Sequence, residues 1–270
     1  MPKQKLLILV ASCLLIVGAI GSITTYRTSD VSAEDLTDTE IIENANLTQI
    51  EIETENAKIE VLPTDEKNIK LEFTAPASEY DKYKLKLEEA GDTLSIELKE
   101  KRIRFLYFDT SFDFTGPVLK LYLPQKQYEE LNIDGVNGRI DVKQIEVAYA
   151  DIETINGKIE LEELTTVETE VSSENGGIEL HHVDGNISSE VTNGSTLLVT
   201  DNLERSIDLE SVNGKITIQS SKEPTNATIE VSVVNGKVNI FGDNARVKTY
   251  GDGKHHIKVE TVNGGVTFSN

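Results

Sequence analysis

The stretch LNIDGVNGRIDVKQIEVAYADIETINGKIEL, residues 131–161, holds two copies of one short pattern. Each copy centres on an Asn-Gly pair, Asn137-Gly138 and then Asn156-Gly157. Working outward toward the C-terminus, the pair returns at Asn175-Gly176, Asn193-Gly194, Asn213-Gly214, Asn235-Gly236 and Asn263-Gly264. The intervals are 19, 19, 18, 20, 22 and 28 residues. A period near 20 residues marks one supersecondary unit that cannot bury its apolar face alone and must stack on its neighbours.

Aligning the copies on Asn exposes columns. Three residues after it stand Ile140, Ile159, Ile178, Thr196, Ile216, Val238 and Val266; five after it stand Val142, Leu161, Leu180, Leu198, Ile218, Ile240 and Phe268. Four before it stand Ile133, Ile152, Val171, Ser189, Leu209, Val231 and Val259. Polar residues fill the positions between, so both flanks alternate with period two, the pattern of half-buried β-strands.

Two all-β arrangements accommodate this. In one, each Asn-Gly is the type I′ turn of a hairpin. In the other it is the corner of a β-solenoid coil, with equivalent residues about 4.8 Å apart along the axis. A hairpin would set Asp134 opposite Asp141 and Glu153 opposite Glu160, like charges that disfavour it. Stacking instead gives the Asn a reason to recur, because amides can hydrogen-bond along a ladder. The expected fold is therefore an all-β solenoid of 19–20-residue rungs. Its fourth rung, with Ser189 and Thr196 at apolar positions, should be the weakest, and Gly251-Asp252-Gly253 in the sixth reads as an inserted hairpin.

Residues 1–5 form a basic tail with Lys3 and Lys5, and residues 6–23 are mostly apolar. That segment is just long enough to span a bilayer and also has the layout of a signal peptide, with Val31-Ser32-Ala33 as a cleavage candidate. Either way the remainder is exported, with the positive end inside. Residues 24–46 read as an acidic linker and residues 47–270 as the extracytoplasmic solenoid, irregular over 47–130 and regular over 131–270. Glu55-Asn56-Ala57-Lys58-Ile59 is a degenerate copy of the corner. The segment Arg102–Phe114, carrying Phe105, Tyr107, Phe108, Phe112 and Phe114, reads as a cap over the first rungs or a ligand-contacting loop.

Residues 34–270 hold 23 Lys and Arg against 46 Asp and Glu, a formal charge of −23. Such a surface repels nucleic acid and anionic headgroups and favours cationic peptides, basic proteins or divalent metals. The one cysteine, Cys13, lies in the apolar segment, so no disulfide supports the exported part. No catalytic motif appears and no cofactor is expected. The pairs His181-His182 and His255-His256 read as strand-edge or loop histidines; on a strand, neighbours point to opposite faces and cannot clasp one metal together. Three residues before each Asn stand Asp134, Glu153, Ser172, Glu190, Glu210, Ser232 and Glu260, an acidic column that would self-repel. Two after it stand Arg139, Lys158, Gly177, Ser195, Lys215, Lys237 and Gly265, a basic column expected to offset it across the corner. Glu190 and Glu260 are left over, and weak Ca²⁺ binding there is the sharper expectation.

The run VLKLYLP (118–124), then LNIDGVNGRIDV (131–142) and the Asn-Gly-x-Ile repeats, resembles the bacterial putative-adhesin family of β-strand-repeat domains of unknown function, with its LiaG-like membrane-anchored proteins of Gram-positive bacteria. The resemblance covers about residues 45–270. It implies a β-helix-like domain on the outer side of the cell membrane, in some members linked to envelope-stress systems, and supplies no catalytic residues. The functional expectation is a non-enzymatic, membrane-tethered envelope protein that interacts with a cationic peptide or a membrane protein. A secreted or surface adhesin is the alternative, and a polysaccharide-active β-helix enzyme a remote one.

Overall fold

The computed structural model describes residues 35–101 and 116–270. The first strands are β1 (Asp35–Ile42), β2 (Gln49–Asn56), β3 (Lys58–Thr64) and β4 (Ile69–Pro76). A short 3₁₀ turn, Tyr80–Lys82, leads into β5 (Tyr83–Ala90) and β6 (Thr93–Glu100). Then come β7 (Val118–Pro124), β8 (Gln127–Asn137), β9 (Ile140–Lys143), β10 (Glu146–Asn156), β11 (Ile159–Glu162), β12 (Glu168–Asn175) and β13 (Ile178–His181). They are followed by β14 (Asn186–Asn193), β15 (Thr196–Thr200), β16 (Ile207–Asn213), β17 (Ile216–Ser220), β18 (Ala227–Asn235) and β19 (Val238–Ile240). The last are β20 (Val247–Thr249), β21 (His255–Asn263) and β22 (Val266–Ser269).

These strands make two 11-stranded sheets. In each repeat the strand before Asn-Gly joins one sheet and the strand after it joins the other, so the pair is a corner and the aliphatic columns meet in between. Registers are parallel and match Asn to Asn: Asp134 lies beside Glu153 and Asp141 beside Glu160, rather than Asp134 beside Asp141. This is a solenoid stack. Its inner columns run Ile140, Ile159, Ile178, Thr196, Ile216 on one sheet and Ile133, Ile152, Val171, Ser189, Leu209 on the other, all buried.

The stacking order departs from chain order at both ends. The last rung, β21 and β22, is inserted between the fifth (β16, β17) and the sixth (β18, β19). Asn263 therefore pairs with Asn213 on one side and Asn235 on the other. At the opposite end β2 and β3 lie inside β6 and β7, so Asn56 stacks directly on Asn137.

Two expectations are corrected here. Asp35–Ile42, read as linker, is an edge strand antiparallel to β4. Its side chains are exposed up to Ile42, so apolar periodicity could not reveal it; main-chain pairing and contacts such as the Thr37–Thr74 hydroxyl bond of 2.8 Å hold it. The Gly251-Asp252-Gly253 turn is not a hairpin tip either. It joins β20 and β21, which pair with opposite sides of β18, β20 antiparallel as an edge strand and β21 parallel. The apolar segment 6–23, the cleavage candidate and Arg102–Phe114 lie outside the described residues.

The fourth rung carries its polar residues inside. Ser189 and Thr196 are 2% and 1% exposed, and neither hydroxyl has a hydrogen-bond partner. A buried unpaired hydroxyl costs on the order of 1–3 kcal/mol. Thr196→Val keeps the shape and restores the column between Ile178 and Ile216. Urea unfolding should show a gain of about 1 kcal/mol.

Candidate functional site

The corners form a continuous polar spine. The Asn137 amide Nδ2 donates to Asn56 Oδ1 at 2.7 Å, Asn156 to Asn137 at 2.9 Å, Asn175 to Asn156 at 3.0 Å and Asn193 to Asn175 at 2.9 Å. Asn213 donates to Asn193 at 2.9 Å, Asn263 to Asn213 at 2.8 Å and Asn235 to Asn263 at 2.9 Å. The main chain repeats the pattern one residue on: Gly138 N–H donates to Asn156 O, Gly157 to Asn175, Gly176 to Asn193, Gly194 to Asn213, Gly214 to Asn263 and Gly264 to Asn235, at 3.0–3.1 Å.

Close approach explains the glycine. A Cβ on Gly157 would lie 1.8 Å from Gly138 O, and one on Gly214 would lie 1.6 Å from Gly194 O. Ala57 is permitted because it begins the column; its own carbonyl is what a Cβ on Gly138 would strike, at 2.0 Å.

Two outer faces flank this spine, and their charge differs. On the face bearing β9, β11 and β13, cations and carboxylates alternate. Lys58 meets Glu60 and Asp141 at 2.5 and 3.2 Å, and Arg139 meets Asp141 and Glu160 at 2.5 and 2.7 Å. Lys158 continues the chain to Glu160 and Glu179 at 3.0 and 2.7 Å. Burial pushes the Glu160 carboxyl up, but the Lys158 hydrogen bond and the charges of Lys158 and Arg139 outweigh it and hold the group below its ordinary value.

The expected offset across the corner is thus corrected for these members. Arg139 and Lys158 neutralise carboxylates on their own face, because the corner turns the acidic column onto the other sheet. There, β8, β10, β12 and β14 lie side by side with ten carboxylates and no Lys or Arg among them. Burial raises the Asp151 pKa, and the charges of Glu153, Glu170 and Asp134 raise it further; Asp134 is raised by burial and then by Glu53 and Glu51. Lysines appear only at the borders of this field. Lys99 meets Glu53 at 3.3 Å, while Lys258 meets Glu210 at 2.7 Å and Glu260 at 3.0 Å. Glu260, expected to be unpaired, is paired with Lys258, two residues earlier on its own strand. Among the described residues Glu190 has no ion-pair partner.

Sequence reading missed an apolar column beside the acidic one, one residue before the Asn. Val136 and Ile155 adjoin at one end, and Val212, Val262 and Val234 adjoin at the other, all exposed, Val234 by 70%. Period-two alternation could have flagged them, since they occupy outward positions.

The histidines do not converge. His181 Nε2 lies 3.6 Å from Glu179, while His182 Nδ1 lies 3.2 Å from Asp201. Among the described residues no group of three or more His, Cys, Asp or Glu side chains is placed to hold a metal, and no helix is long and apolar enough to cross a membrane.

Fold and corners together define an all-β repeat protein stacked on an asparagine spine. The Toastrack DUF4097 family model matches residues 47–146 and 136–269, and the chain belongs to that family. Among solved structures, a protein described as a putative adhesin from Bacteroides fragilis is similar, at 12% identity and TM-score 0.48, over 88% of this chain and 98% of the other. Another, described as a putative lipid binding protein from Parabacteroides distasonis, is similar at 17% identity and TM-score 0.47, over 88% and 98%. No curated protein matches the chain.

Proposed function

We propose that this chain is a non-enzymatic, membrane-tethered extracytoplasmic solenoid of the cell envelope, which works by presenting the outer face of β8, β10, β12 and β14 to a cationic partner. The observation that carries this reading is the contrast between faces: one neutralised by its own ion pairs, the other acidic across four adjacent strands. Like charges on neighbouring strands repel, so a bound cation relieves a cost already present in the free protein. The exposed Val136 and Ile155 beside that field suit a peptide of mixed basic and apolar character, drawn in at long range by the net charge. The tether is the apolar segment 6–23, and a role in envelope stress accords with the family resemblance.

The test is titration of the purified protein with an extended peptide of alternating Lys and Leu, at two salt concentrations. The triple variant Asp151→Asn, Glu153→Gln, Glu170→Gln should bind at least about tenfold more weakly, and added salt should abolish the difference. Equal loss on Glu179→Gln, which lies on the neutralised face, would defeat the assignment of the surface. N-terminal sequencing of the mature protein separates the tethered form from an adhesin released after Ala33.

A further inference from the structure

Seven Asn-Gly pairs share one motif, but one of them lacks half its restraints. Six corner glycines donate their N–H to an asparagine carbonyl of the next rung, and all six are partly buried. Because the last rung is inserted, the end of this column is not Asn263-Gly264 but Asn235-Gly236. Among the described residues Gly236 N–H has no main-chain acceptor, Gly236 is the one exposed glycine of the seven, and Asn235 Oδ1 receives no amide hydrogen bond. The Asn235 amide is held on one side only, through its Nδ2.

We infer that Asn235-Gly236 is a site of spontaneous, selective deamidation and isoaspartate formation. The Gly236 amide nitrogen loses its proton to water or hydroxide and attacks Asn235 Cγ. The Cγ–Nδ2 bond breaks and ammonia leaves, closing a succinimide. One water then opens the ring at either carbonyl, giving Asp or isoaspartate at 235. No enzyme, oxidant or metal is consumed. The other six corners resist because attack would require breaking both the Gly N–H bond and the amide ladder at once, which amounts to opening a rung. The isoaspartyl product adds a carbon to the main chain at the free end of the spine, where the remaining asparagine bonds stay intact.

The test uses the unmodified full chain, incubated at mildly alkaline pH and mapped over time by mass spectrometry and isoaspartyl methyltransferase labelling. The peptide containing Asn235 should convert at least about ten times faster than any other Asn-Gly peptide. In denaturing urea this preference should collapse. Uniform conversion in the folded protein, faster conversion elsewhere, or an undiminished preference in urea would each overturn the inference.

Discussion

Gly214→Ala should cost the fold about 3–5 kcal/mol, the sum of a clash that cannot be relieved cheaply and the ladder bonds broken in relieving it. The added Cβ would sit 1.6 Å from Gly194 O and 2.5 Å from its carbon, both backbone atoms. Neither rung can retreat alone: Gly194 N–H is bound to Asn213 O and Gly214 N–H to Asn263 O, each at 3.0 Å. Thermal and urea unfolding of the variant provide the measurement. Gly177→Ala is the internal control, because there the new Cβ finds its nearest atom at 3.4 Å, an ordinary contact. A Gly214→Ala protein melting with the Gly177→Ala protein would refute the close-stacked corner.

Phe268→Ala is the second large effect, about 3–5 kcal/mol for emptying an aromatic-sized volume in a packed core. Phe268 is 1% exposed and stands in the column between Ile218 and Ile240, with its ring centroid 5.8 Å from that of Phe241. Although it is third from the end of the chain, it is flanked on both sides, so the hole loosens the fifth and sixth rungs together. Limited proteolysis should accordingly show new cleavage between β18 and β20. Val234→Ala, removing a side chain that is 70% exposed, should leave stability within about 0.5 kcal/mol.

Much of this architecture is legible in residues alone. The Asn, Ile and Leu columns give the period, the parallel stacking and the corner, since burial on one face leaves a period-two trace. That Asn56 occupies a corner is legible too, from the degenerate Glu55–Ile59 copy, whereas its seat directly on Asn137 is not. What escaped did so for physical reasons. Rungs six and seven carry the same apolar pattern, so either order buries the same kinds of side chain; only the 28-residue interval hints at the exchange. β1 sets Asp38 and Glu40, both exposed, in register with the buried Phe73 and Leu71, which erases its alternation. The charged columns were misjoined because the corner sends residues before and after Asn-Gly to different sheets. Spacing along the chain does not record which face a residue reaches. The acidic side of the candidate surface was therefore visible as composition, whereas its lack of compensating lysines emerged only from the sheet order.

The inserted rung has a consequence for how the molecule is made. A polypeptide threaded out from its N-terminus can lay Asn137 through Asn213 in sequence, each on a finished template. The segment that appears next has no permanent seat yet, because its neighbour is the stretch still to come. Completion thus waits for β21 and β22, and a chain stopped or clipped before them should keep a sound lower stack beneath an unfinished top.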